Sequence, residues 1–274
     1  MKHPTYVTII LIALFIGAQV FGLLVFSKYM NFTTKAPSKD TPIGSIQVKD
    51  TKGLNWEFLI IICAAVIIGT GVCLYLIRNN KMNLLKIWIG IALSANLGIA
   101  LGAFLPAIAA IILAIGLAVT RMKTSQWKYY PWLHNATELA LYGGFATIFA
   151  FVLNVWTIIA LLVVVSIYDM IAVWKSGHMI TMAKGLIKGN IFAGFMLLYK
   201  DKKAILGGGD IAFPLLAAVV MLKTFGWLPA LITIAFATLA LTYLFLTSKE
   251  GKFYPAMPYL SAGVFIGMLL GWLL

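Results

Sequence analysis

Charge is what this chain lacks most. Only 11% of its 274 residues are charged, about half the share of a typical soluble domain. It has eight acids, three histidines and two cysteines. Each shortage removes a class of function. Cys63 and Cys73 fall in one apolar run and do not face each other simply on a helix, so neither a disulfide framework nor a zinc spacing is present. His3, His134 and His178 are scattered and no HExxH occurs, so no metal and no cofactor is assigned. The net charge of +13 comes from short basic clusters between apolar runs. Those are membrane flanks, and nucleic acid is rejected as a partner. Tandem repeats, low-complexity tracts and a soluble domain are also missing.

What is present is apolar length. Hydrophobic residues make up 62% of the chain, and the lipid bilayer is its solvent. A helix needs about 20 apolar residues to cross the hydrocarbon core. That ruler predicts an all-α polytopic membrane protein of about nine transmembrane helices, at 6–27, 56–77, 84–102, 104–120, 137–153, 155–173, 205–222, 225–246 and 256–274. The first is read as a retained span, because it is longer than a signal-peptide core and no small-residue cleavage site follows. Residues 84–120 form one apolar stretch, split near Gly102–Pro106. Residues 1–154 read as an N-terminal membrane bundle of about five spans with an outer loop at 28–55. Residues 155–274 read as a second bundle of about four spans with a cytoplasmic loop at 175–203. The apolar part of that loop, Ile191–Tyr199, is too short to span. It is read as an interfacial loop, an amphipathic helix in the interface, or a lid. With the N-terminus in the cytoplasm and the C-terminus outside, most of the 21 Lys and Arg fall inside, as the positive-inside bias requires.

The eight acids sort by depth. Asp40 and Asp50 lie in the outer loop, and Asp201 and Glu250 stand among lysines. Glu57 and Glu138 begin spans and are expected to reach the interface. Asp169 and Asp210 remain inside apolar runs, where an acid is costly and its default reading is functional. Asp169 lies near the end of the sixth span and Asp210 near the start of the seventh. Both are roughly 6–9 Å from the same face at 1.5 Å per residue. Consecutive helices are often neighbours, so the two carboxylates can meet. Two facing carboxylates share a proton, and one can act as base toward water while the other acts as acid toward a carbonyl oxygen. That chemistry hydrolyses a peptide without metal or cofactor.

The surroundings suit it. Tyr168 stands beside Asp169. Gly207, Gly208 and Gly209 precede Asp210 and allow close backbone approach, although the same run also reads as a plain helix-entry turn capped by the acid. Pro255 and Pro258 flank Ala256 and Met257 at the start of the ninth span, where proline interrupts regular helix and is expected to leave carbonyls free. The bland reading of this segment is a loop that starts a helix. Tyr168-Asp169, the GxGD pattern at Gly207–Asp210 and the Pro255–Pro258 segment occur together in the order and spacing of the presenilin and signal peptide peptidase family. The chain resembles a microbial, archaeal-type member. The resemblance covers nearly the whole chain and is strongest over the last four spans. It implies nine spans and intramembrane aspartyl proteolysis of transmembrane helical peptides. Asp169 and Asp210 would be the catalytic pair, with the proline segment shaping the site. The family usually carries Pro-Ala-Leu, and Met257 replaces that leucine with an apolar residue of similar size. The charge bias is similar to the presenilin branch, which implies substrates whose N-terminus is outside. Nothing demands an obligatory protein partner, and self-association stays open.

Other classes fit less well. Proton-coupled transporters and channels also bury paired acids, but the pseudo-symmetric halves typical of carriers are missing. A prepilin-type peptidase shares the Gly-x-Gly-Asp idea but often carries a cytoplasmic cysteine cluster. A rhomboid-type serine mechanism would rest on Ser176 and His178, which read as a polar turn past a span.

Overall fold

The computed structural model describes residues 4–33, 36–37, 53–123, 130–175, 182–183, 185–187, 191–199, 202–248 and 254–274. Nine helices of 16 residues or more occur among them. They are α1 (Thr5–Tyr29), α2 (Trp56–Arg78), α3 (Met82–Gly102), α4 (Ala107–Lys123), α5 (Tyr130–Ala150), α6 (Val155–Met170), α7 (Gly208–Phe225), α8 (Trp227–Thr247) and α9 (Met257–Leu273). Each overlaps one expected span. Six of them, α1, α2, α3, α6 with its extension, α7 and α8, are by length and apolarity able to cross a membrane. The chain is therefore a multi-pass membrane protein.

Local chemistry sets the ends. Asn55 caps α2 by accepting from the Phe58 amide (3.2 Å), and Asn154 caps α6 by accepting from Thr157 (2.8 Å), which satisfies donors that a helix start leaves free. The same residues tie the two helices together, through Asn55 N–H to Thr157 Oγ1 (3.1 Å) and Asn154 Nδ2 to the Gly53 carbonyl (2.6 Å). Gly226, at φ +100°, ends α7 and lets α8 begin at once. The break at Gly102–Pro106 falls where expected.

Most of α7 is buried. It packs against α1, α5, α6, α8 and α9, and one hydrophobic core runs through all six. α8 and α9 lie closest together. A Cβ on Gly267 would stand 2.7 Å from Thr233 Cα, and Gly263 and Gly271 meet α8 equally tightly. Small residues every fourth position let two backbones touch, which is how helices associate where lipid offers no hydrophobic drive. α2 is the opposite case, largely exposed along its length.

Two sequence expectations are corrected. Gly194–Tyr199 is neither a helix in the interface nor a loop but a strand, β3, paired antiparallel with β4 (Lys202–Gly207). A two-residue pair of strands, Met30–Asn31 and Ala36–Pro37, supplies β1 and β2. The span expected from 205 therefore begins as strand, and its helix starts at Gly208. The hairpin is inside the bundle: Phe195, Ala204 and Leu206 are buried against α1, α5 and α7. Parts of the 175–203 segment lie outside the described residues. The second correction is Glu138. The helix carrying it starts at Tyr130 and not near 137, so Glu138 sits more than two turns in. It is 1% exposed and paired with Arg121 rather than placed at the interface.

Candidate active site

Asp169 belongs to the last turn of α6 and is 5% exposed. The helix widens just after it into a π-helical turn, Ile171–Lys175, a distortion frequent at functional sites. Its carboxylate Oδ2 accepts the Met257 N–H at 3.0 Å, with the Ala256 N–H nearby. Those amides are available because α9 starts there. Ala256 is the N-cap, Met257 the first helical residue and Pro258 the second, and a helix start presents amides without intrahelical partners. Beside the carbonyls that the prolines are expected to free, the segment offers Asp169 an amide. Ala256 and Met257 are buried and Pro255 with them.

Asp210 is the third residue of α7, after Gly207 as N-cap and Gly208 and Gly209 as the first two. Its carboxylate lies beside Gly207, with Oδ2 3.1 Å from where a Cβ on that glycine would stand. The glycines do form a helix-entry turn, with Gly207 as the N-cap and Asp210 inside the first turn. Pro214 lacks the N–H that would bond the Asp210 carbonyl, and Gln19 of α1 donates to the neighbouring Ile211 carbonyl at 3.0 Å. Asp210 is half-buried and lies within electrostatic reach of Asp169. The structure thus brings Asp169, Asp210, the three glycines and Ala256–Met257 to one end of the bundle. Tyr168 turns its hydroxyl toward α2, 3.4 Å from Thr70 Oγ1. Among the described residues no three His, Cys, Asp or Glu side chains converge.

A polar cluster beside this pair escaped the sequence reading. Glu138 Oε2 accepts the Gly194 N–H at 2.9 Å and the Tyr142 hydroxyl. Asn135 meets Met196 twice, at 2.9 Å from its N–H and 2.9 Å to its carbonyl. His134 Nε2 bonds the Gly194 carbonyl at 2.8 Å. Side chains of α5 therefore replace a neighbouring strand along the outer edge of β3. Antiparallel alternation then turns the backbones of Ile205 and Gly207 toward the opposite edge of β4. Among the described residues no hydrogen bond meets Ile205 there. The available signal was Arg121 near the end of one span and Glu138 near the start of the next, two opposite charges on adjacent helices.

The sequence model of one family, described as "Signal-peptide peptidase, presenilin aspartyl protease", matches residues 12–274. This chain belongs to that family. It is an intramembrane aspartic endopeptidase. Two solved structures share its fold, both described as a presenilin family intramembrane aspartate protease, in P2 and C222 space groups. They are 19% and 17% identical, with a TM-score of 0.67 in each case. The first match covers 96% of both chains, and the second covers 97% of this chain and 98% of the other. A search of curated proteins finds no match. Membership in this protease family implies transmembrane peptides in the bilayer as substrates.

Proposed function

We propose that Asp169 and Asp210 are the catalytic pair of this protease, with Gly207–Gly209 and Pro255–Pro258 as their support. The observation that carries the reading is that two carboxylates on membrane helices lie within electrostatic reach of each other, one held by the Met257 amide at the start of α9 and the other in the first turn of α7. One carboxylate takes a proton from water as the water oxygen attacks the scissile carbonyl carbon. The other gives its proton to the carbonyl oxygen. Collapse of the tetrahedral adduct breaks the C–N bond, and the proton passes to the departing amine.

A helical peptide hides its carbonyls in its own hydrogen bonds, so the substrate has to be extended where it is cut. The outward edge of β4 suits this: it runs into Gly207, three residues before Asp210, and an extended segment can add to it as a strand. Tyr168 lies on the side of α6 that faces α2, the helix with least burial. We also infer that the α1 N-terminus is cytoplasmic, which favours substrates with an outer N-terminus. The supporting observation is the Lys and Arg bias.

The test uses the purified full chain and a transmembrane peptide. Asp169→Asn and Asp210→Asn are each expected to lower cleavage by at least about 100-fold, the usual share of a positioned acid or base. Either variant cleaving at the wild-type rate would remove the assignment.

A further inference from the structure

We propose that Glu138 and Tyr142 of α5 are positioning residues that set Asp210 through the β3–β4 hairpin. The proposal rests on the reading of Asp210 as half of the catalytic pair. It starts from an ion pair that the bundle does not need for packing. Arg121 and Glu138 are 5% and 1% exposed, and a pair this buried is often no more stabilising than apolar residues of the same volume. In a membrane protein an ionisable pair at this depth calls for another role.

Its contacts point to one. Arg121 NH2 bonds Glu138 and also the Phe192 carbonyl (3.2 Å), and NH1 bonds Thr137 Oγ1 (3.0 Å). Glu138 takes the Gly194 N–H, while Asn135 and His134 hold the rest of that edge. Residues 192–196 are thus fixed to α4 and α5 by side chains. Gly194 pairs across the hairpin with Gly207, and the Gly208 N–H donates to the Ala193 carbonyl at 3.1 Å. Gly194 sits at φ +131°, and a Cβ there would fall 2.1 Å from the Leu206 carbonyl oxygen. The crossing is therefore held at backbone contact. The Tyr142 hydroxyl then closes the circuit. It would lie 2.8 Å from a Cβ on Gly208, so it occupies the space where that residue has no side chain, two residues before Asp210. Asp169 is held from elsewhere, by the start of α9. The distance between the carboxylates is consequently set by two supports: α9 for one and the α5 cluster for the other.

The experiment compares kcat and KM for a transmembrane peptide in the full-length protein, with unfolding followed in parallel. Tyr142→Phe removes the hydroxyl and keeps the ring. It is expected to lower kcat by about 10- to 100-fold, the cost of displacing a reacting group by a fraction of an ångström to one ångström. KM and the unfolding temperature should stay close to wild type. A merely structural tyrosine would shift the unfolding temperature and leave the kcat of the folded protein alone. Gly208→Ala drives a methyl into the hydroxyl and should be nearly inactive. Tyr142→Phe/Gly208→Ala has room for that methyl and should cleave at least about 10-fold faster than Gly208→Ala alone, a non-additivity expected only of touching residues. Arg121→Met/Glu138→Gln, which removes both charges together, should also lower kcat without raising KM. Wild-type kcat in Tyr142→Phe or in this double variant, or simple addition of the Tyr142 and Gly208 losses, overturns the proposal. Asp210→Asn is measured alongside. If it is inactive, such a result strikes the positioning role alone. If it is active, the catalytic reading fails and takes the positioning role with it.

Discussion

A carboxylate on a membrane helix needs donors, and here the backbone supplies them rather than cationic side chains. Asp169 accepts the Met257 amide, and Asp210 lies in the first turn of α7 beside Gly207. No lysine or arginine is needed to hold the pair, so its protonation answers to the two carboxylates themselves. On the proposed assignment, the working form carries one proton between them. At low pH both are protonated and no base remains; at high pH both are ionised and no acid remains. Cleavage rate against pH is therefore expected to be bell-shaped, measured as kcat/KM in a fixed detergent. A rate that climbs steadily with pH would contradict a shared proton. Residue identity made this pair legible: in a chain with eight acids, the two inside apolar runs stand out. The same measure of depth that singles them out misplaces Glu138. Depth was measured from an assumed span start, and the start at Tyr130 lay among polar residues that hydropathy does not count.

At the scale of elements, helices were readable and the hairpin was not. Each span had enough apolar length to announce itself. Ile191–Tyr199 is a short apolar run, and periodicity alone does not separate buried strand from buried helix at that length. A strand edge inside a membrane bundle is also disfavoured unless something satisfies its backbone. What satisfies it is Asn135, His134 and Glu138, and their partners are 56 to 61 residues away in sequence. The α8–α9 contact was in principle readable, since Gly263, Gly267 and Gly271 recur every fourth residue. Its role follows from what α9 carries at its start. Gly267→Val places a branched side chain against Thr233 Cα and should cost about 1–3 kcal/mol as overpacking. It should also withdraw the Met257 amide from Asp169. A lowered unfolding temperature together with lost cleavage is expected. Full activity in a destabilised protein would show that α9 does not transmit its position to the site.

For the molecule as a whole, the expected topology has a second support besides lysine and arginine. Antiparallel spans place exposed Trp56, Trp156, Trp227 and Trp272 at the end opposite the aspartates, and exposed Trp132 and Trp174 at the end that carries them. Indole rings at both ends are what two membrane interfaces select. They mark the boundaries without saying which side is cytoplasmic, so the proposed orientation rests on the charge bias. Lys223, in the last turn of α7 and so at the end opposite the aspartates, weighs less against that bias than its charge suggests. Its ammonium donates to the Ala150 and Leu153 carbonyls (2.8 and 2.7 Å) and closes the end of α5. A reporter fused after Leu274 is expected to be extracytoplasmic. A cytoplasmic signal would invert the orientation and the substrate preference with it.

The amide that Met257 lends to Asp169 has a consequence in time. Synthesis runs from α1 toward α9, so both aspartates emerge from the ribosome well before the helix that holds the first of them. A nascent chain already bears its two acids and still lacks the clasp between α6 and α9. On the proposed assignment of Asp169, the protease is expected to stay unarmed while it is being made and to become competent only once α9 has docked.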